Sequence, residues 1–192
     1  MNFLAHLTLS YYSADLQVGN FLGDLLRGAE VDTLPPGIRR GVLLHREIDR
    51  LTDADPDVRA LNLLLRKRHG RYAPVISDVA FDYFLYLNWD RFGPAPFDTF
   101  TAQVYTRMGG ARAEVPERVR GHIDSLLRYE WLDMYTSPEG MRGVFRRMLP
   151  RLSRPEQLEG INDTLQDLAV PFNRTLLLLF PRLQLLAAKY RE

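Results

Sequence analysis

His45 and Asp49 stand four residues apart in the run Leu43-Leu44-His45-Arg46-Glu47-Ile48-Asp49-Arg50. On a helix that interval stacks an imidazole and a carboxylate on one face, a turn apart. Val42, Leu43 and Ile48 make the surroundings apolar, and an ionised group turned toward a core needs a compensating partner. Three more pairs repeat the interval inside apolar runs: Asn2 with His6, Asn20 with Asp24, and Asp78 with Asp82. Gathered in one place, two imidazoles and four carboxylates suit a hard or borderline divalent metal such as manganese or magnesium. Asp78 and Asp82 press this case hardest, because like charges at that spacing repel and need a cation, a proton or an arginine nearby. The plainer alternative is structural. His45 and Asp49 then form a hydrogen-bonded pair on a helix surface, His6 is a satisfied core histidine, and the polar pairs are networks in a binding module without catalysis.

Composition narrows the chemistry. The chain has 192 residues, of which 46% are hydrophobic and 26% charged, with a net charge of +1, an ordinary mixture for one globular domain. No whole-molecule field draws in nucleic acid or a membrane. Arginine far outnumbers lysine, which favours bidentate contact with phosphate or carboxylate. Cysteine is absent, so thiolate nucleophiles and zinc–thiolate sites are ruled out and a metal must take nitrogen and oxygen ligands. The opening MNFLAHLTLS lacks the basic start of a signal peptide. The apolar stretch from Thr175 to Ala188 is broken by Pro181, Arg182 and Gln184, so no membrane span is expected; the expectation is a cytoplasmic protein. Gly109-Gly110 is only a turn, with no phosphate-binding glycine loop, and no serine-hydrolase elbow occurs. His69, in Arg68-His69-Gly70-Arg71, reads as solvated, and His122 beside Asp124 as surface.

The elements that must position these groups read as helices. Residues 2–9 form a short apolar helix. Ser13 caps a second, which carries Asn20 and Asp24 and stops at Gly28. A third carries His45 and Asp49 to Thr52 or Asp53. Asp55-Pro56 then starts a fourth, which ends in Arg66-Lys67-Arg68 at the negative end of its dipole. The most apolar run, Ala73 to Trp89, is a central helix bearing Asp78 and Asp82, ended by Gly93-Pro94-Ala95-Pro96. Further helices are expected at 97–108, 116–135, 138–149 and 154–168, with a capping box of Ser153 and Glu156. A last helix, 172–190, is expected to bend at Pro181. The whole is an all-α, single-domain bundle of about eight helices over residues 1–192, with the candidate metal site in 1–92 and scaffold in 93–192.

In order along the chain, MNFLAHLTLS, GNFLGDLLRG (19–28), HREIDRLTDADP (45–56) and RYAPVISDVAFDYFL (71–85), followed by Trp89, resemble the acyl carrier protein phosphodiesterase family. The second half fits through its helical pattern and WLDMYTSPEGMRGVFRRM (131–148). The resemblance implies an all-helical fold similar to HD-type metal-dependent phosphohydrolases. It also implies hydrolysis of 4'-phosphopantetheine from holo acyl carrier protein, typically with manganese. It points to His6, Asp24, His45, Asp49, Asp78 and Asp82. The chain departs from the family at Thr8 in Ala5-His6-Leu7-Thr8 and at Tyr83 in Asp82-Tyr83-Phe84-Leu85, where relatives commonly carry histidine.

The resulting expectation assigns His6, Asp24, His45 and Asp78 to the metal, manganese first and magnesium second. Asp49 or Asp82 orients the ligands or positions the water. Arg46 or Arg50 contacts phosphate, and Asn20 and Tyr83 stand on the substrate side. Acyl carrier protein is the expected partner substrate; carriers are acidic, so an arginine-lined approach would steer one in. A nucleotide or other small phosphoester is the alternative substrate.

Overall fold

A computed structural model describes residues 1–191 and is all-α, with no strand among those residues. Helix α1 (Phe3–Leu9) is short and almost wholly buried. Its first amides would be orphans, but the Asp82 carboxylate accepts from Leu4 N at 2.8 Å and Ala5 N at 3.0 Å. A side chain 78 residues away in sequence therefore starts the helix that carries His6. Ser13 caps α2 (Ala14–Leu22), accepting from Leu16 N at 3.4 Å. This helix ends six residues short of the expected stop at Gly28. The chain turns through 23–27 and takes only one helical turn in α3 (Gly28–Val31).

Helix α4 (Pro36–Ala54) crosses α2 at very close range. A β-carbon on Gly19 would collide with the Ile38 carbonyl oxygen, and one on Gly41 with that of Leu16. Gly41→Ala is therefore expected to force the helices apart. Overpacking of this kind costs roughly 1–3 kcal/mol, visible as a lower urea midpoint; an unchanged midpoint would show the crossing to be loose.

Asp55 caps α5 (Pro56–His69) as expected, accepting from Asp57 N at 2.9 Å and Val58 N at 3.2 Å. His69 is not solvated. It is buried, donating from Nδ1 to the Gln157 carbonyl at 2.7 Å, with Nε2 2.9 Å from the Thr164 hydroxyl. Chain segments from the far half cover the end of α5, a contact with no local trace. Helix α6 (Ala73–Leu87) is separated from the single turn α7 (Trp89–Phe92) at Asn88, whose side chain donates to the Phe84 carbonyl and to Asn173 Oδ1.

Four expectations for the second half need correction. Helix α8 (Phe97–Ala111) begins where expected but runs on through Gly109 and Gly110, which are helical rather than a turn. Helix α9 (Glu117–Tyr129) stops at Glu130, which adopts the left-handed conformation at φ 44°, and residues 131–136 form a 3₁₀ segment. Ser137 caps α10 (Pro138–Met148). The helix expected over 154–168 is broken by Gly160 at φ 67°, leaving α11 (Ile161–Asp167). The Ser153–Glu156 box does not form; Ser153 instead meets the Tyr72 hydroxyl at 3.1 Å. Helix α12 (Ala169–Ala188) carries Pro181 inside it. Its Phe172 stacks on Phe84 at 4.9 Å, and α6 and α12 run through one continuous apolar core. No described helix is long and apolar enough to cross a membrane.

Candidate metal centre

Two imidazoles lie at the middle of the α1–α2–α4 contact. His6 on α1 and His45 on α4 are buried and stack at 4.0 Å between ring centroids. Asn20 on α2 fixes both. Its Nδ2 donates to the His6 carbonyl at 2.8 Å, so its Oδ1, 2.7 Å from His6 Nδ1, is the acceptor. The Asn20 carbonyl is likewise 2.8 Å from His45 Nδ1 and can only accept. Each ring therefore carries its proton on Nδ1, and each bare Nε2 turns inward.

Both Nε2 atoms face oxygen. His6 Nε2 lies 3.1 Å from Asp49 Oδ1 and 3.2 Å from the Met1 carbonyl. His45 Nε2 lies 3.0 Å from Asp49 Oδ2 and 3.1 Å from Asp24 Oδ1, yet is buried without a well-directed hydrogen bond. Lone pairs aimed at carboxylates repel unless a cation sits between them. Among the described residues, His6, His45 and Asp49 offer ligand atoms that all lie within 4.8 Å of one another. A buried orphaned nitrogen and a mixed nitrogen–carboxylate shell fit a divalent ion.

A proton can serve as a weaker substitute. Burial opposes charge on His45, but Asp24 and Asp49 outweigh it and raise its pKa to about 9. Burial, and then the neighbouring His45 charge, lower His6 to about 4. Burial would raise the Asp49 carboxyl, yet the two imidazoles and the Met1 ammonium hold it well below the usual range. A raised pKa stabilises fully below the ordinary value of 6.5 and ceases to do so as pH passes about 9. Asp82, lifted by burial to about 7 despite its two amide donors, acts in the same direction over a lower range, which ends near pH 7. The metal-free protein is thus expected to lose melting temperature between pH 6.5 and 9 when scanned in EDTA. Manganese affinity should rise across the same window, since the ion displaces the His45 proton. A flat melting profile would contradict the charged His45.

The expected residues do not all converge. Asp49, expected to be an orienting group, bridges the two imidazoles. Asp24 was expected in an apolar interior; its side chain is 82% exposed and reaches the site only through His45. Asp78 faces the Met1 ammonium at 3.2 Å rather than an imidazole, and burial raises its carboxyl. Asp82 spends both oxygens on α1 amides. Asn2 donates to the Tyr135 hydroxyl at 2.7 Å, so the second half does reach the edge of the site. Arg50 is held by Glu47, whereas Arg46 is exposed and adjacent in sequence to His45. Tyr83 lines a separate cavity of about 110 Å³ with Phe84 and Met141.

Sequence reasoning missed Gly23, whose α-carbon lies flat against His45: a β-carbon there would collide with ring atoms Cγ and Cδ2. It missed equally that the Met1 carbonyl would lie beside the His6 imidazole and the Met1 amine beside Asp49. The Gly23-Asp24 dipeptide at the end of an apolar helix was the one available signal.

The family model for acyl carrier protein phosphodiesterase matches residues 1–183. Proteins of that name from Salmonella dublin, Salmonella newport and Salmonella heidelberg are each 32% identical over 169 residues, covering 88% of this chain and 86% of theirs. No solved structure matches the chain significantly. A match over nearly its whole length places this chain in the acyl carrier protein phosphodiesterase family.

Proposed function

We propose that this protein is a metal-dependent phosphodiesterase that removes 4'-phosphopantetheine from holo acyl carrier protein. The observation that carries this reading is the convergence of His6 Nε2, His45 Nε2 and the Asp49 carboxylate within 4.8 Å, in a chain of this family. Water adds to the phosphorus, the bond from phosphorus to the carrier serine oxygen breaks, and that oxygen leaves with a proton.

His6, His45 and Asp49 would hold the ion, with Asp24 reaching in from solvent. When bound, a divalent ion acidifies water and neutralises charge on phosphoryl oxygens; manganese suits this mixed shell, and magnesium is the second choice. Asn20 keeps both imidazoles in the tautomer that presents Nε2. Asp82 holds α1, and so His6, in place. Arg46 is free to meet a phosphoryl oxygen bidentately, which Arg50 can do only by leaving Glu47.

The test is direct. Holo acyl carrier protein incubated with the protein and Mn²⁺ is expected to shift to the apo mass, and EDTA to stop the shift. A carrier that stays holo while a nucleotide or small phosphoester is hydrolysed would move the assignment to the alternative substrate class.

A further inference from the structure

We propose that Arg118, on α9, is a positioning residue for the Asp24 carboxylate: its guanidinium clamps the turn that presents Asp24 to His45. This inference rests on the metal reading above and adds to it a contribution from the half of the chain that holds none of the ligands.

Asp24 needs such help. Its side chain is 82% exposed, and its one inward contact is His45 Nε2 at 3.1 Å. It sits past the end of α2, in a turn whose backbone bond runs from Leu25 N to the Leu22 carbonyl at 2.9 Å. Nothing regular continues from there until α3 begins at Gly28. Arg118 closes this gap. Its Nη2 donates to the Leu25 carbonyl at 2.6 Å, one residue beyond Asp24. Its Nε and Nη2 also fork onto Glu30, at 3.0 Å to Oε1 and 2.6 Å to Oε2. Glu30 in turn accepts from the Arg27 amide at 2.7 Å. The ring of bonds from Leu25 through Arg118 and Glu30 to Arg27 spans the turn and ties it to α9.

An isolated surface ion pair holds little, but this one differs in three respects. It is bidentate, it shares the guanidinium with a backbone carbonyl, and both side chains are partly shielded. The Arg118 guanidinium, then the Arg27 amide, hold the Glu30 carboxyl at about 2, so the clamp stays charged at neutral pH. Lysine cannot replace this fork, because one ammonium lacks its planar pair of donors.

The experiment is a calorimetric Mn²⁺ titration of the full chain, wild type against Arg118→Ala, Arg118→Lys, Asp24→Asn and the Arg118→Ala/Asp24→Asn double variant. Arg118→Ala should weaken Mn²⁺ binding about tenfold, the scale typical for groups that orient a metal ligand, and Arg118→Lys should restore little. The double variant should bind no worse than Asp24→Asn alone, because the clamp acts through that carboxylate. Arg112→Ala removes a comparable fork, onto Asp124, and should leave affinity unchanged. Circular dichroism checks that every variant is folded. Wild-type affinity in Arg118→Ala, or an equal further loss in the Asp24→Asn background, overturns the clamp. Wild-type affinity in Asp24→Asn takes Asp24 out of the ligand set and overturns the clamp alone; no Mn²⁺ uptake by the unaltered protein overturns the metal reading beneath it and the clamp with it.

Discussion

Asp49→Asn is expected to abolish the manganese response of the protein and to lower turnover at least about 100-fold, beyond what loss of an orienting group commonly produces. Among the described residues, Asp49 is the one carboxylate within reach of both imidazoles, at 3.1 and 3.0 Å. Asparagine keeps the shape but carries no charge, and its amide can face only one lone pair. His45 is then left with Asp24, a side chain mostly in solvent. In the metal-free state the same change should lower the melting temperature. The folded protein favours ionised Asp49, held well below the usual carboxylate range, and that contribution is present above the ordinary pKa and lost on acidification. The check is a pair of melting curves with and without Mn²⁺. Wild type should gain stability by mass action, and Asp49→Asn should gain almost none. A variant that keeps both the metal response and turnover would move the centre away from His6, His45 and Asp49.

Gly23→Ala is expected to do comparable damage through a single methyl group. The added carbon would overlap the His45 ring. The ring has no room to retreat, since His6 stacks on it at 4.0 Å and its Nδ1 is held by the Asn20 carbonyl. Close-packed interiors do not absorb such an insertion, so either α2 lifts from α4 or the imidazole rotates away from the ligand set. Mn²⁺ affinity and turnover should fall at least about tenfold, with a stability loss of roughly 1–3 kcal/mol and helical circular dichroism retained. Gly28→Ala is the matched control, because a β-carbon there meets nothing within 4 Å. If the two variants behave alike, the fit of Gly23 against His45 does not matter to the site.

The sequence by itself determined the helical class and put His6, His45 and Asp49 among its candidates. A four-residue interval places both members of a pair on one helix face whatever the tertiary context, so His45 and Asp49 emerge together on α4. Capping chemistry is equally local, and Ser13 and Asp55 start their helices where read. The tertiary structure alone decided which pairs converge. The crossing of α2 and α4 depends on Gly19 and Gly41, and that approach brings the Asn20 carbonyl to His45. Asp82 keeps its four-residue interval from Asp78 but is turned to the start of α1, where two unpaired amides draw it more strongly than the centre does. The long-range closures were invisible for the same reason. Arg118 on Leu25, Tyr135 with Asn2, and His69 under Gln157 join residues 93, 133 and 88 positions apart. Periodicity and capping act over one or two helical turns; contacts at such separations are settled only when the helices pack.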